Sequence, residues 1–349
     1  DPEMSRGLGD VYKRQMYQDV IYKNSPQNYN QYQFSTNLDA KITKAIKFGF
    51  DILGRQTVDN RGVRTTEDLF SYFLTTSPMS APYYPNGLLR TGYDGITNNA
   101  VLMVSDLPGT SKTTNNTLNL KPKIRIDLDV ITPGLYAEGY AALDYTFNNG
   151  KTTNTPYDIY SYDSVSGEYT NQRDATGSVS VSSWSSNSSS ITLNVRIGYS
   201  HLFNNAHQIN AFVAYEQNKY HYNYLYGYRT NFVSSALPDL DYGSTDKTNQ
   251  SNSGNSNETA RQNWFGRVNY GYKDKYLAEV TLRYDGSMNF APGHRWGLFP
   301  GLSAGWVISE ENFFEPLKDV FSFFKLKGSW GMMGNDNITV SYTHLRAHE

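Results

Sequence analysis

Several features are missing from this sequence of 349 residues, and each absence excludes a class of protein. There is no cysteine, so disulfide frameworks and thiolate-based zinc or iron–sulfur sites are excluded. The most apolar run, Ala100 to Val104, has five residues, whereas a membrane-spanning helix needs about 20. Thirty-one Lys and Arg face 33 Asp and Glu, so no overall charge favours nucleic acid, and we expect no nucleic-acid partner.

Aromatic residues are abundant and compensate for a modest apolar content. Apolar residues make up 38 % of the chain, and aromatic residues reach 15 %, with 29 Tyr. A disordered chain would be poor in aromatics, so this composition indicates an ordered protein rich in strand-forming residues. Residues 1–15 mix charges with Gly and lack the apolar segment of an export signal, so we expect the chain to be a fragment.

Alternation with a period of two fills the sequence and predicts strands that have one apolar and one polar face. From Lys123 to Val130 the apolar side chains all fall on even positions and the charged ones on odd positions. About ten such strands are predicted, with apolar positions centred on residues 32–42, 46–52, 124–130, 135–147, 191–199, 209–215, 264–272, 276–284, 302–308 and 324–330.

The connections between these strands alternate in length. Short turns are predicted near 43–45, 132–134, 201–207 and 273–275, and long polar loops at 57–116, 148–189 and 218–261. This asymmetry is typical of outer-membrane barrels, which have short periplasmic turns and long external loops. The predicted fold class is therefore all-β: a segment, of about ten strands, of a large antiparallel up-and-down transmembrane β-barrel.

Two local patterns refine this prediction. Aromatic residues such as Tyr145, Tyr215 and Tyr284 lie at strand ends, where an interfacial girdle would contact the membrane lipid, although ordinary β-propensity would also place Tyr in strands. The segment Thr66 to Leu74 has apolar residues at helical spacing after an acidic first turn. We expect a short helix there, within an external loop.

A stretch from Trp264 to Asn337 carries motifs that resemble a known family. The motifs are Phe265-Gly266-Arg267-Val268-Asn269-Tyr270, Lys275-Tyr276-Leu277, Leu282-Arg283-Tyr284-Asp285-Gly286-Ser287, Phe290-Ala291-Pro292-Gly293-His294-Arg295-Trp296-Gly297, Phe299-Pro300, Ser303-Ala304-Gly305-Trp306, Ile308-Ser309-Glu310-Glu311, Leu326-Lys327-Gly328-Ser329-Trp330-Gly331 and Gly334-Asn335-Asp336-Asn337. This stretch resembles the barrel of SusC/RagA-like TonB-dependent outer-membrane transporters. Asn37-Leu38-Asp39 and Tyr215-Glu216-Gln217 extend the resemblance more loosely towards residue 30.

The resemblance has implications for location, partners and cargo. It implies an outer-membrane location and a 22-stranded barrel, of which this chain would be the middle, surrounding an N-terminal plug that this chain does not contain. It also implies a SusD-like surface lipoprotein partner, a TonB complex that acts through the missing N-terminal region, and an oligosaccharide or peptide substrate. No cofactor is implied.

The resemblance also separates the ends of the chain from its middle. Residues 1–15 and 340–349 carry no alternation, and we interpret both as non-native or unassigned tails that flank a partial barrel at 16–339.

A row of tyrosines is the candidate ligand site. Tyr220, Tyr222, Tyr224, Tyr226 and Tyr228 occupy alternate positions and would point inward if no bulge interrupts the strand. At the lumen mouth such a ladder would suit stacking on sugar faces or gripping of a peptide. The alternative is a strand extension stabilised by cross-strand aromatic pairs.

The sequence offers little for catalysis. The six His (His201, His207, His221, His294, His344 and His348) show no metal-ligand spacing, and Asp127 and Asp129 form part of a charge ladder beside Arg125. We therefore expect a transporter segment that is not an enzyme and has no metal. A secreted β-rich adhesin or glycan-binding module is the alternative, and a glycoside hydrolase is a third hypothesis.

Overall fold

Antiparallel strands dominate the computed structural model, which describes residues 27–77, 79–92 and 98–336 and, before residue 27, only the backbone of two strands. The strands are β1 (Ser5–Arg6), β2 (Asp10–Tyr17), β3 (Asn28–Lys41), β4 (Ile46–Gly62), β5 (Gly109–Asp127), β6 (Leu135–Asn154), β7 (Tyr160–Tyr162), β8 (Tyr169–Asn171), β9 (Ser180–Phe203), β10 (His207–Thr230), β11 (Gln250–Tyr272), β12 (Tyr276–Ser287), β13 (Trp296–Val307) and β14 (Lys325–Gly331). The helices are α1 (Thr66–Thr75) and α2 (Ala100–Val104). Short 3₁₀ turns cover Arg173–Thr176, Leu240–Tyr242, Lys247–Asn249, Ile308–Glu310 and Asn312–Leu317.

One antiparallel sheet contains all the strands except β7 and β8, which form a small hairpin of their own. Its ten long strands pair in the order β3-β4-β5-β6-β9-β10-β11-β12-β13-β14, which is also their order along the chain. These are the ten strands predicted from the alternation, so the up-and-down topology is confirmed. The described sheet is open, with β14 at one edge and both β1 and β2 paired with β3 at the other.

The backbone of β2 extends this sheet into residues 10–17. Part of the segment 1–15, which is predicted to be a tail, is therefore paired with β3 in the structure. The boundaries of the two tails stay a prediction, and the tail at 340–349 lies outside the described residues.

The two faces of the sheet differ sharply in chemistry. We call the face that carries Val195 and Ile197 the outer face, and the face that carries Asn194 and Arg196 the inner face. Val195 and Ile197 are 60 % and 52 % exposed although both are apolar. Regular pairing places further exposed apolar side chains on the outer face of neighbouring strands, including Ile124, Leu193, Val213, Val268, Val280, Leu282, Leu298, Leu302 and Leu326. An apolar surface continuous across so many strands is the surface that hydrocarbon would cover.

Tight turns join most of the strands at one end of the sheet, and the β13–β14 connection, 308–324, is the exception. The residues Asn204 and Asn205 have φ of 48° and 51°, and Lys273 and Asp274 have φ of 51° and 56°. Two consecutive residues in the left-handed region are typical of the hairpin turns that match the right-handed twist of paired strands. The predicted short turns at this end are confirmed.

The predicted long loops are wrong in extent, because the strands continue well into them. The three long connections at the other end cover 63–108, 155–179 and 231–249, rather than 57–116, 148–189 and 218–261, and a shorter one, 288–295, joins β12 to β13. The added strand segments are rich in Ser, Thr and Asn, as in residues 182–190. Both faces meet water beyond the membrane, so alternation disappears there while backbone pairing continues.

The end of β5 also differs from the prediction. The apolar alternation placed Leu128 and Val130 in the strand, but β5 ends at Asp127 and Val130 is 93 % exposed in the turn that follows. The Asp129 carboxylate accepts a hydrogen bond from the Gly134 backbone N–H at 2.7 Å, and Gly134 has φ of 88°. This closure bends the chain before a strand could extend further.

The predicted helix is confirmed as α1, which begins with a capping box. The Thr65 hydroxyl accepts from the Asp68 backbone N–H at 3.1 Å, and the Asp68 carboxylate accepts from the Thr65 backbone N–H at 2.7 Å. The hydrogen bond from the Thr65 backbone holds the pKa of Asp68 below its ordinary value, with further lowering by the Thr65 side chain and the Arg64 charge.

Small apolar clusters hold the long connections together. Leu69 and Tyr72 of α1 pack with Met103 of α2, and Leu102 packs with Ile159 in a second cluster, both fully buried. Asn99 caps α2 and donates to the carbonyls of Pro82 and Arg90 at 2.8 and 2.7 Å. Within the described residues, neither helix is long and apolar enough to cross a membrane.

Candidate functional site

The predicted tyrosine site lies on β10, in the middle of the sheet. Its register is unbroken on both sides, from His207 to Thr230 against β9 and from His207 to Arg229 against β11. The condition stated for the ladder, that no bulge interrupts the strand, is therefore met. Even positions keep one side throughout, so the tyrosines share the inner face with Glu216 and Asn218.

The five tyrosines form a row that is flanked by small polar residues. Tyr222 lies opposite Ser188 on β9 and Asn257 on β11, and Tyr224 lies opposite Ser186 and Asn255. All five are half-buried. Their hydroxyls make no hydrogen bond to any other described residue. Their cross-strand neighbours are Ser, Asn and Thr except at Trp184, so the aromatic pairs of the alternative explanation occur only there. The ligand role of the row stays a prediction.

One aromatic residue of the same surface was missed by the sequence analysis. Trp184 lies opposite Tyr226 in the β9–β10 register, and its ring centre is 6.4 Å from that of Tyr224. On its other side it lies opposite Gly150 of β6, and a Cβ at Gly150 would overlap the indole. Trp184 falls in the segment predicted as a loop. Counting every second residue from Asn194 along β9 would have placed it on the inner face.

This upper inner surface contains no charged side chain across four strands. Its inner-face positions are Thr146, Asn148, Gly150, Thr152 and Asn154 on β6; Ser180, Ser182, Trp184, Ser186, Ser188, Ser190 and Thr192 on β9; Asn218, the five tyrosines and Thr230 on β10; and Ser251, Ser253, Asn255, Asn257 and Thr259 on β11. The outer face of the same segments carries Lys151, Lys219, Arg229 and Glu258. We name the uncharged inner surface the aromatic wall.

One acceptor in the aromatic wall has no partner. The side-chain oxygen of Asn148 is buried and makes no hydrogen bond to a described residue. Asn148 lies opposite Ser186, in the same cross-strand row as Tyr224. Leaving a buried acceptor without a hydrogen bond costs about 1–3 kcal/mol of folding free energy. A donor group that reaches the Asn148 oxygen would therefore be bound favourably.

Nearer the short turns, the inner face changes to a charged network. Glu138 bridges Arg125 and Arg196 from the neighbouring strands, with an Oε2–Nη1 distance of 3.3 Å to Arg125. Asp127 extends the network, because its carboxylate accepts from Arg125 at 2.9 Å and from Lys47 at 2.8 Å. The charges on this part of the inner face are matched, as expected for a water-filled or protein-filled lumen.

Glu216 marks the boundary between the two inner surfaces. Its carboxylate accepts from the Asn194 amide at 3.0 Å and from the Tyr140 hydroxyl at 3.3 Å. Two residues further along β10, the Asn218 amide donates to Ser190 and Thr192 at 3.0 and 2.8 Å. Beyond Asn218 the aromatic wall begins, so on β6, β9, β10 and β11 the inner face divides into a charged lower part and a neutral upper part.

The groups that the structure describes form no cluster suited to a metal ion. No three His, Asp or Glu side chains among the described residues lie close enough together to hold a metal ion. In the external connections, Asp158 has a lowered pKa because Asn171 and Arg173 donate hydrogen bonds to it. That site is an exposed ion pair at 3.1 Å.

Aromatic residues bound the apolar band of the outer face at two levels. Near the short turns, Tyr276 stacks on Trp306 with ring centres 6.4 Å apart. Towards the long connections, Tyr284 stacks on Trp296 at 4.8 Å, and Tyr215 contacts Trp264 at 4.7 Å. Eight residues of β12 separate Tyr276 from Tyr284, or about 26 Å along a strand and about 20 Å along the membrane normal for a tilt near 40°.

These features define the class of the protein. An open antiparallel sheet with an apolar outer band, two aromatic belts, a polar inner face and tight turns at one end is a wall segment of an outer-membrane β-barrel. The tyrosine row starts five residues beyond Tyr215 along β10 and therefore lies outside the band, towards the long connections.

Comparisons with known proteins agree with this class. The chain is 44 % identical over 82 residues to the TonB-dependent receptor SusC of Bacteroides thetaiotaomicron, a match that covers 24 % of the chain and 8 % of SusC. It is 30 % identical over 141 residues to the TonB-dependent receptor P39 of Formosa agariphila, covering 40 % of the chain and 13 % of P39. No family model matches.

Solved structures extend the likeness to nearly the whole chain. The RagAB peptide transporter superimposes with a TM-score of 0.71 at 19 % identity, over 90 % of this chain and 34 % of that one. The RagAB peptide importer in its closed-closed state gives a TM-score of 0.72 at 18 % identity, over 93 % and 34 %. At such identities the likeness shows the fold.

The resemblance to SusC/RagA-like TonB-dependent receptors, predicted from the sequence, is confirmed. The matches cover only 8 to 13 % of the length of the two curated relatives. Its location is the outer membrane, and the relatives that it resembles are receptors rather than enzymes.

Proposed function

We propose that this chain is the barrel wall of an outer-membrane importer, and that its aromatic wall contacts a neutral oligosaccharide on the way into the lumen. The single observation that carries the proposal is the composition of that surface: five tyrosines and Trp184 between rows of Ser, Thr and Asn, without a charge. Rings offer apolar faces to sugars, and hydroxyl and amide groups match sugar hydroxyls.

The partners in this proposal come from the family resemblance. A SusD-like surface lipoprotein would close over the bound glycan, and a TonB complex would supply the work of import through regions outside this chain. The lipid of the outer membrane would surround the apolar band. The related receptors support this arrangement by their descriptions as TonB-dependent.

A peptide is the second candidate cargo. It is favoured by the fold neighbours, which are described as a peptide transporter and a peptide importer. Against it, a peptide carries charged termini and often ionic side chains, which would lose hydration beside the aromatic wall without gaining a partner. The remaining alternative, a secreted adhesin, does not explain why the outer face exposes a continuous apolar band.

Binding measurements on the intact receptor that carries this chain would test the proposal. We expect Trp184→Ala and Tyr224→Ala each to weaken binding of a neutral oligosaccharide roughly two- to tenfold, the effect of losing about 0.5–1.5 kcal/mol of ring contact. Leu225→Ala is the matched control, because Leu225 is a neighbour on the outer face and 64 % exposed. Equal effects at Leu225 and Tyr224, or binding of charged peptides alone, would overturn the proposal.

A further inference from the structure

The connection between β13 and β14 differs from the other turns at its end of the sheet. It covers 308–324, whereas the β9–β10 and β11–β12 connections have three residues each. It also exposes many apolar side chains. Those that are about half or more exposed are Phe313 (64 %), Leu317 (49 %), Val320 (75 %), Phe321 (58 %), Phe323 (65 %) and Phe324 (48 %). Exposed apolar side chains clustered in one connection mark an interaction site.

The connection is fixed to the lower aromatic belt by one carboxylate. Glu311 accepts hydrogen bonds from the Tyr276 hydroxyl at 2.7 Å and from the Trp306 indole N–H at 3.1 Å. The Lys275 ammonium lies 3.3 Å from the same carboxylate. Three donors on one side chain hold the start of the connection directly below the outer face.

Phe313 continues the outer face downward. Its ring packs edge-on against Trp306, with centres 6.2 Å apart, and Trp306 stacks in turn on Tyr276. Phe314, the next residue, turns the other way and is buried against Phe324. The connection therefore has its own small core and still presents Phe313 on the side that the membrane covers.

Among the candidate occupants of this surface, the lipid bilayer is favoured by continuity. Trp306 and Tyr276 belong to the belt that contacts lipid headgroups, and Phe313 contacts that belt directly. The acidic residues Glu310, Glu315 and Asp319 intersperse the apolar ones, and only Lys318 opposes them, at 3.1 Å from Glu315. An apolar segment with an acidic edge suits the headgroup boundary of a zwitterionic leaflet rather than an anionic one.

We propose that residues 308–324 form a membrane foot, which inserts Phe313 into the periplasmic leaflet and anchors the lower rim of the barrel wall. The foot is held by the contacts of Glu311 with Tyr276, Trp306 and Lys275, which we call the Glu311 clasp. Its role as an anchor does not depend on which cargo the receptor binds. It adds a lipid contact below the barrel band, at the level of the short turns that expose Ile42, Val130 and Ile131.

Site-specific fluorescence would test this foot. Because this chain contains no cysteine, Phe313→Cys can carry an environment-sensitive dye in the intact receptor, reconstituted in nanodiscs of zwitterionic phospholipid. We expect a blue-shifted emission that nitroxide groups at shallow acyl positions quench. Glu315→Cys is the matched control in the same connection, since its parent side chain is 71 % exposed, and we expect its dye to stay in water and unquenched.

The outcomes separate the possible occupants. Quenching at Phe313 and not at Glu315 supports the foot, and Glu311→Ala in the Phe313→Cys background should then reduce the quenching by releasing the clasp. A dye at Phe313 that is shielded from water but unquenched would show that protein covers the site, and it would overturn the proposal. Emission typical of water at both positions would overturn it as well.

Discussion

Trp184 on β9 and Gly150 on β6 lie directly opposite each other, and the indole occupies the space that a Cβ at Gly150 would need. Glycine is thus what allows the largest ring of the aromatic wall to lie against the sheet. The proposed contact between Trp184 and the cargo therefore depends on the absence of a side chain at residue 150.

Replacing Gly150 with Val should therefore displace the Trp184 ring. We expect oligosaccharide binding to the intact receptor to weaken about as much as in Trp184→Ala, while the amount of folded barrel stays close to that of the parent. Calorimetric titration of the purified variants would measure this. Gly54→Ala is the control, because a Cβ there meets nothing within 4 Å. Full retention of affinity in Gly150→Val would separate Trp184 from the binding surface.

The charged half of the inner face should contribute to stability. Glu138→Gln would leave Arg125 and Arg196 without their shared carboxylate, and we expect a loss of about 1–3 kcal/mol in the free energy of unfolding. Urea unfolding in lipid vesicles would measure it. Glu279→Gln removes a looser contact to Arg267 at 3.7 Å on the same face and should cost less. If Glu138→Gln and Glu279→Gln had the same free energy of unfolding, the network around Glu138 would make no special contribution to stability.

The capping box of α1 should give its connection a dependence on pH. The pKa of Asp68 is lowered in the folded state, so its contribution is complete above the ordinary carboxyl pKa of about 4 and is lost as the pH falls through the lowered value. The protection factors of residues 66–75, which are corrected for the intrinsic pH dependence of exchange, should therefore fall in that acidic window. Thr65→Ala should weaken protection at neutral pH by about 1 kcal/mol. A pH dependence unchanged in Asp68→Asn would rule out this carboxylate as its source.

Adjacent positions on β12 should respond differently to a charge. Leu282 is half-exposed on the outer face, and Thr281 lies on the inner face. Leu282→Arg should cost roughly 2–4 kcal/mol if the site lies near the bilayer midplane, while Thr281→Arg should be mild. Folding titrations in vesicles of the intact receptor would compare them.

Much of this fold was predictable because the membrane imposes a period-two pattern. Residues such as Ile191, Leu193, Val195 and Ile197 alternate with polar residues as a two-faced strand requires, so the ten strands and their pairing order could be predicted from the sequence. The pairing of individual residues, such as Val213 with Gly266, then follows because the register between neighbouring strands is unbroken.

The period-two alternation is lost in the parts of the strands that lie outside the membrane. Above the membrane, water touches both faces, and the Ser-rich beginning of β9 carries no alternation to distinguish it from a loop. Trp184 was missed for that reason, although Tyr220 to Tyr228 retained their spacing. The prediction erred in the other direction at Leu128 and Val130, which it placed in a strand because they continue the alternation. The strand ends before them, where the Gly134 backbone N–H donates a hydrogen bond to the Asp129 carboxylate.

The central structural claim is that the outer-face side chains of each strand contact hydrocarbon and the inner-face side chains contact water. Single cysteines placed in turn at residues 277 to 284 of β12, in the intact receptor in nanodiscs, can each carry a dye that nitroxide lipids quench. We predict strong quenching at 278, 280, 282 and 284 and weak quenching at the residues between them. A profile without this alternation, with all positions equally accessible to water, would contradict the assignment of the two faces and the barrel built on it.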